Sequence, residues 1–149
     1  MEVYQASIQD LEGVSRIFDL YRTFYNQTSD LEGARIFLKE RLLNKESVIF
    51  VATVNKEYVG FTQLYPTFSS ISMKRAWILN DLYVDEKARG QGVGERLLQM
   101  AKEHGMQTGA NSISLSTAFD NYTAQKLYEK NQYKRDEQFF QYELSLRKV

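Results

Sequence analysis

Apolar residues change their spacing several times along this chain, and each spacing predicts a different element. Val3 to Ala6 reads as a short strand. Over residues 8–25, Leu11, Val14, Ile17, Phe18, Tyr21, Phe24 and Tyr25 recur at three- and four-residue steps, which predicts an amphipathic helix. A polar turn, Asn26 to Ser29, follows. Ser29 and Glu32 have the spacing of a capping box, and Leu31, Ala34, Leu38 and Leu42 carry a second helical stripe. From Val48 to Val54 the chain is β-branched, almost continuously apolar and short, the pattern of a strand buried on both faces. Asn55-Lys56-Glu57 predicts a hairpin turn into a strand from Tyr58 to Tyr65, with Pro66 ending it.

Ala76 to Val84 predicts a further strand. Val93 to His104 is an amphipathic helix with Val93, Leu97, Leu98, Met100 and Ala101 inward and Gly105 as its stop. Ile113, Leu115 and Thr117 alternate with serines, Asn121 to Lys130 reads as a short helix, and Phe140, Tyr142, Leu144 and Leu146 alternate as a final strand. This order predicts an α/β (α+β) fold, a mixed sheet with helices on its faces.

Composition narrows the chemistry. The 149 residues suit a single domain, 1–149, and 43% hydrophobic with 26% charged residues is ordinary for a globular chain. Lysine plus arginine and aspartate plus glutamate both total 19, so the bulk positive field that nucleic-acid or anionic-membrane binding requires is missing. There is no cysteine and only one histidine, His104. Thiol nucleophiles, cysteine-held metals and histidine clusters are therefore excluded, and no metal is expected. Charged residues interrupt the opening segment, and no later stretch has the length and apolarity of a bilayer span, so a cytoplasmic protein is expected. His104 falls about 15 Å along its helix from the helix start, and reads as a helix-end cation rather than a catalytic base.

The most informative segment runs from Leu82 to Gly94. An apolar strand enters a polar turn, then Gly90, Gly92 and Gly94 alternate directly into a helix start. Free amides at a helix N-terminus bind phosphate, and glycine lets backbone approach the oxygens closely. The dinucleotide fingerprint would need glycine where Glu95 stands. A P-loop would need lysine and serine or threonine where Glu95-Arg96 stands. A loop that merely turns the chain is the plain alternative.

Arg89-x-x-Gly92-x-Gly94, entered from Asn80-Asp81-Leu82-Tyr83-Val84, closely resembles the acyl-CoA pyrophosphate motif of the GNAT superfamily of N-acetyltransferases. Asn121 to Asn131, an asparagine opening a helix that carries Tyr128 near its end, resembles the later family signature, and the element order from Val3 to Leu146 matches throughout. The resemblance implies a mostly antiparallel central sheet splayed into a wedge for acetyl-CoA, the acyl donor. It implies that Leu82, Tyr83 and Val84 pair with the pantetheine arm and that Arg89, Gly90, Gln91, Gly92, Val93 and Gly94 wrap the pyrophosphate. Asn121 would reach the arm; as a helix N-cap it has an equally good structural use. The family usually carries glycine where Gln132 stands, and a left-handed residue there would cost about 1 kcal/mol unless Asn131 takes the role.

Acetyl transfer requires a neutral amine, an oxyanion hold and a proton for the leaving thiolate. The resemblance makes Tyr128 the general acid, with packing beside Ala124 and Leu127 as the alternative. The backbone N–H of Leu82 is the candidate oxyanion donor. Asp81, a carboxylate inside an apolar strand, is the candidate base or cation recruiter, unless it pairs with Arg75; Asn80, where some relatives carry an acid, cannot serve as a base. Tyr21, Arg22, Tyr25, Tyr65, Phe68 and Ser69 are the candidates to line the acceptor side, and aromatics beside a carboxylate suit a small primary amine of the polyamine type. Acetylation of protein lysines or N-termini, and a non-catalytic acyl-CoA-binding module, are the alternatives. A homodimer paired through the last strand is also expected from the resemblance.

Overall fold

The computed structural model describes residues 1–147. Its sheet has the strand order β1-β2-β3-β4-β5, with β1 (Glu2–Gln5), β2 (Val48–Val54), β3 (Glu57–Ser69), β4 (Lys74–Val84) and β5 (Ile113–Ser114). The first three junctions are antiparallel, and β5 lies parallel to β4. Four helices accompany the sheet: α1 (Leu11–Phe24), α2 (Leu31–Leu43), α3 (Val93–Gln107) and α4 (Tyr122–Lys130). This is the mixed α/β architecture expected from the element order.

Strand β2 explains why its sequence is apolar without alternation. Ile49 and Val51 point into a core closed by Val14, Ile17 and Phe18 of α1 and Ala34 and Leu38 of α2. Phe50 and Ala52 point into the opposite core, where Val93, Leu97, Leu98 and Ala101 of α3 close over Leu64, Trp77 and Leu79. Both faces are covered, so every second residue finds a dry environment on one side or the other. Leu127 and Tyr128 of α4 pack against the α3 core. The β2–β3 connection is a two-residue turn, Asn55-Lys56, with both residues at positive φ and Val54 opposite Glu57.

Several local expectations are corrected. Pro66 does not end β3, which continues to Ser69. The last residue of β3 paired with β2 is Leu64, opposite Val48, so Pro66 lies where β3 has only β4 beside it and a missing donor is harmless. The cap of α2 is Asp30, whose Oδ1 accepts from the Gly33 amide at 2.9 Å; Ser29 instead donates its hydroxyl to Asp19 Oδ2 at 2.6 Å. Gly105 does not stop α3. It lies buried inside the helix, where an added Cβ would come within 3.2 Å of Ile113, and the turn falls at Gly109, φ +69°.

Strand β5 covers only Ile113 and Ser114, and the expected final strand is not formed: Phe140, Tyr142, Leu144 and Leu146 stand in the open. Alternation marks a segment as strand-competent but supplies no neighbour to pair with. His104 does lie in the last turn of α3, but its surroundings disfavour the charged form. Its ring packs against Trp77 at 4.8 Å and Phe50 at 5.7 Å between centroids, and burial, followed by the charge of Arg75, pushes its pKa down.

Candidate active site

The site begins with a register slip. Gln63 of β3 faces Asp81, yet the next residue, Leu64, faces Leu79, so Asn80 is an extra residue on β4. This bulge breaks the two-residue period of the strand. Trp77 and Leu79 before it belong to the α3 side, whereas Tyr83 beyond it packs on the α1 side. Past the bulge β4 also loses its outer neighbour, because β5 pairs only at Trp77 and Ile78. The two strands then part, and a cleft of about 280 Å³ opens between them.

Tyr21 and Tyr25 line this cleft from the α1 side, Leu79, Asn80 and Leu82 from β4, Ser116 to Ala118 from the chain after β5, and Tyr128 from α4. The structure thus brings together Tyr21, Tyr25, Leu82 and Tyr128, residues up to 107 positions apart in sequence. Tyr65 and Phe68 do not line it. Tyr65 is pushed up to about 12 by burial and then by the charge of Asp81. Phe68 is 72% exposed beneath the guanidinium of Arg75.

Asp81 lies behind the cleft wall, 5% exposed. Its Oδ2 accepts from Gln63 Nε2 at 2.7 Å and its Oδ1 from Asn80 Nδ2 at 3.1 Å; the Tyr21 hydroxyl also turns to it. Burial outweighs these hydrogen bonds and holds the carboxyl above the usual carboxylate range. Burial and the facing Asp81 push Tyr21 well above the ordinary phenol value. Arg75, the alternative partner for Asp81, lies instead over Phe68 and Trp77. Tyr128 is raised to about 12, first by burial and then by Tyr25 and Tyr133. Gln63 was not singled out by sequence; a fully buried amide in an apolar strand becomes informative only once it is seen opposite Asp81.

The glycine loop follows β4. Gly90 and Gly92 adopt φ of +76° and +80°, and a Cβ at either would meet nothing within 4 Å. Their role is therefore conformational, and it leaves open space over the loop. Gly92 caps α3 without any side chain accepting from the first-turn amides, so those donors are available to a ligand. Gly94 has a different role: a Cβ there would come within 3.0 Å of Leu127, so it admits α4 against α3. Arg89 donates through Nε to the Val84 carbonyl at 2.9 Å, and its guanidinium lies over Phe24 and Tyr83. Asn121 caps α4, its Oδ1 accepting from the Ala124 amide at 3.2 Å.

The acetyltransferase (GNAT) family model matches residues 14–133, the span holding the loop, the cleft and Tyr128. The chain belongs to the GNAT acetyltransferase family. An uncharacterized N-acetyltransferase of Bacillus subtilis is 51% identical over 98% of both chains, and a probable acetyltransferase of Haemophilus influenzae is 30% identical over 83% of this chain and 85% of that one. The crystal structure of a probable acetyltransferase, 44% identical, superposes with a TM-score of 0.94 over the whole of both chains.

GNAT enzymes use acetyl-CoA as acetyl donor. The residues here fit such a donor: uncapped amides and open space at Gly90 and Gly92 suit a diphosphate, and the unpaired edge of β4 suits an extended arm. Among the described residues, no group of three or more metal-binding side chains occurs, and no helix is long and apolar enough to cross a membrane.

Proposed function

We propose that this GNAT enzyme is a cytoplasmic single-domain protein that transfers the acetyl group of acetyl-CoA to a primary amine of a small, polyamine-like molecule. The observation carrying this reading is the cleft where β4 and β5 part, which Tyr21, Tyr25, Leu82 and Tyr128 line together while Asp81 stands directly behind. Leu82 to Val84 hold the pantetheine arm along the open edge, the loop from Arg89 to Gly94 holds the pyrophosphate, and Asn121, while capping α4, donates its remaining amide toward the arm.

An alkylamine of pKa about 10 is neutral about once in a thousand molecules at pH 7, so deprotonation must accompany attack. Asp81 does not face the amine itself. Tyr21 stands between, and its hydroxyl takes the amine proton as it passes its own to the Asp81 carboxylate. The amine nitrogen bonds to the thioester carbon, the carbonyl oxygen gathers negative charge beside the Leu82 amide, and the C–S bond breaks with the departing sulfur held as thiolate by a hydrogen bond from Tyr128. The second proton that nitrogen sheds on becoming the amide passes to that sulfur, leaving neutral amide and thiol.

Calorimetric titration with acetyl-CoA, followed by thiol release across a panel of free amines and lysine peptides, tests this. Wild type should bind acetyl-CoA and acetylate a diamine, and Gly92→Val should fold yet lose binding. Turnover of peptides alone would replace the small-molecule acceptor with a protein one. Binding without turnover of any amine would reduce the protein to an acyl-CoA-binding module.

A further inference from the structure

Asn80 and Asp81 are consecutive, and in an unbroken strand their side chains would leave opposite faces of the sheet. The bulge removes that constraint. Asn80, the extra residue, is exposed in the cleft, yet its Nδ2 donates to Oδ1 of the buried Asp81 at 3.1 Å. An ionised carboxylate only accepts hydrogen bonds, so the amide nitrogen has to face Asp81 and the amide oxygen has to face away from it. None of the described residues donates to that Oδ1. Of the side chains lining the cleft, Asn80 alone carries a carbonyl oxygen.

Tyr21 repeats this arrangement from the α1 side. Its hydroxyl turns to Asp81, and its oxygen keeps lone pairs for the cleft. One buried carboxylate therefore backs two acceptor oxygens, and a hydrogen bond to a charge polarises the Asn80 amide and strengthens its oxygen as an acceptor. The two oxygens differ in one respect. That of Tyr21 carries a proton to exchange, whereas that of Asn80 carries none and can only hold an N–H.

We infer that Asn80 Oδ1 holds the acceptor nitrogen through the one N–H bond that survives the reaction, and so selects primary over secondary amines. The inference rests on the acetyl-transfer reading above. A primary alkylammonium carries three N–H protons. One passes through Tyr21 to Asp81. A second goes to the coenzyme sulfur as the nitrogen–carbon bond replaces the carbon–sulfur bond, and the third stays on the amide product. A secondary ammonium carries only two. Both are lost, and Asn80 is left facing an alkyl group with its oxygen unpaired. Holding one N–H throughout also orients the nitrogen for attack on the thioester carbon.

Thiol release with diaminobutane and with its N,N′-dimethyl derivative tests this. Wild type should favour the primary amine. Asn80→Leu and Asn80→Ala should each lower kcat/KM for diaminobutane by about 10- to 100-fold more than for the dimethyl derivative, the worth of a hydrogen bond from a nitrogen that becomes charged during attack. Loss of the Asn80–Asp81 bond acts on both amines alike, so a role confined to positioning Asp81 would leave the selectivity ratio at its wild-type value. Asn80 is exposed, and a variant that binds acetyl-CoA with wild-type affinity in calorimetry is folded. Equal losses with both amines, or wild-type rates in both variants, would overturn the inference and leave the acetyl-transfer reading standing. No turnover of diaminobutane by wild type would instead overturn that reading, and this inference with it.

Discussion

Replacing Tyr128 by phenylalanine removes one oxygen from the cleft and isolates what its hydroxyl does. That hydroxyl is raised to about 12, chiefly by burial. A thiol titrates near 8.5, so complete proton transfer from Tyr128 to the leaving sulfur would run uphill by about 3.5 units, or about 5 kcal/mol. A hydrogen bond that strengthens as the C–S bond lengthens avoids this cost. With a charged acceptor it contributes about 1.5–3 kcal/mol, which corresponds to about a 10- to 150-fold loss of kcat in Tyr128→Phe. The hydroxyl donates to no protein group among the described residues, so the variant leaves no partner stranded and its melting temperature should match wild type. Steady-state thiol release gives kcat, and calorimetry should show unchanged acetyl-CoA affinity. The wild-type rate should show no loss of an essential acid up to about pH 10, because so high a pKa keeps Tyr128 protonated. A change in kcat below threefold, or a loss carried entirely by acetyl-CoA affinity, would refute the donor role.

Asp81→Asn should lower kcat/KM by about 10²–10³-fold and abolish the rise of log kcat/KM with pH, since only the ionised carboxylate accepts a proton; a pH profile of wild-type shape in the variant would exclude Asp81 as base. Gln132→Gly should raise stability by about 0.5–1 kcal/mol in chemical melts, because Gln132 sits at φ +73° while Asn131 does not take the left-handed role. Gly13→Ala should destabilise by about 1–3 kcal/mol, because the added methyl overlaps the Tyr58 ring, whose hydroxyl donates to Asp10 at 2.6 Å. His104 is pushed down by burial, so as pH falls below about 6.5 the unfolded chain takes up a proton before the native one. The stability due to neutral His104 is therefore present above that pH and is lost as pH falls through the lowered native value. Thermal melts should show this decline, and His104→Phe should flatten it.

The amino-acid order by itself determined whatever depends on near neighbours. The two-sided burial of Val48 to Val54, the apolar stripes of α1 and α3 and the glycine turn into α3 follow from periodicity and backbone freedom. The family motifs are similarly contiguous, which is why the loop and Tyr128 could be singled out before any contact was known. Tertiary structure decided the remainder. The slip that makes Asn80 an extra residue exists only in relation to β3, and it places Asp81 behind Tyr21 instead of in the cleft. Gly92 and Gly94 look alike in the motif, yet one shapes the loop and the other admits Leu127, a difference set by α4 packing. Phe140 to Leu146 have the alternation of a strand and remain unpaired, because a hydrogen-bonded ladder depends on where a neighbouring edge lies, and no local pattern specifies that.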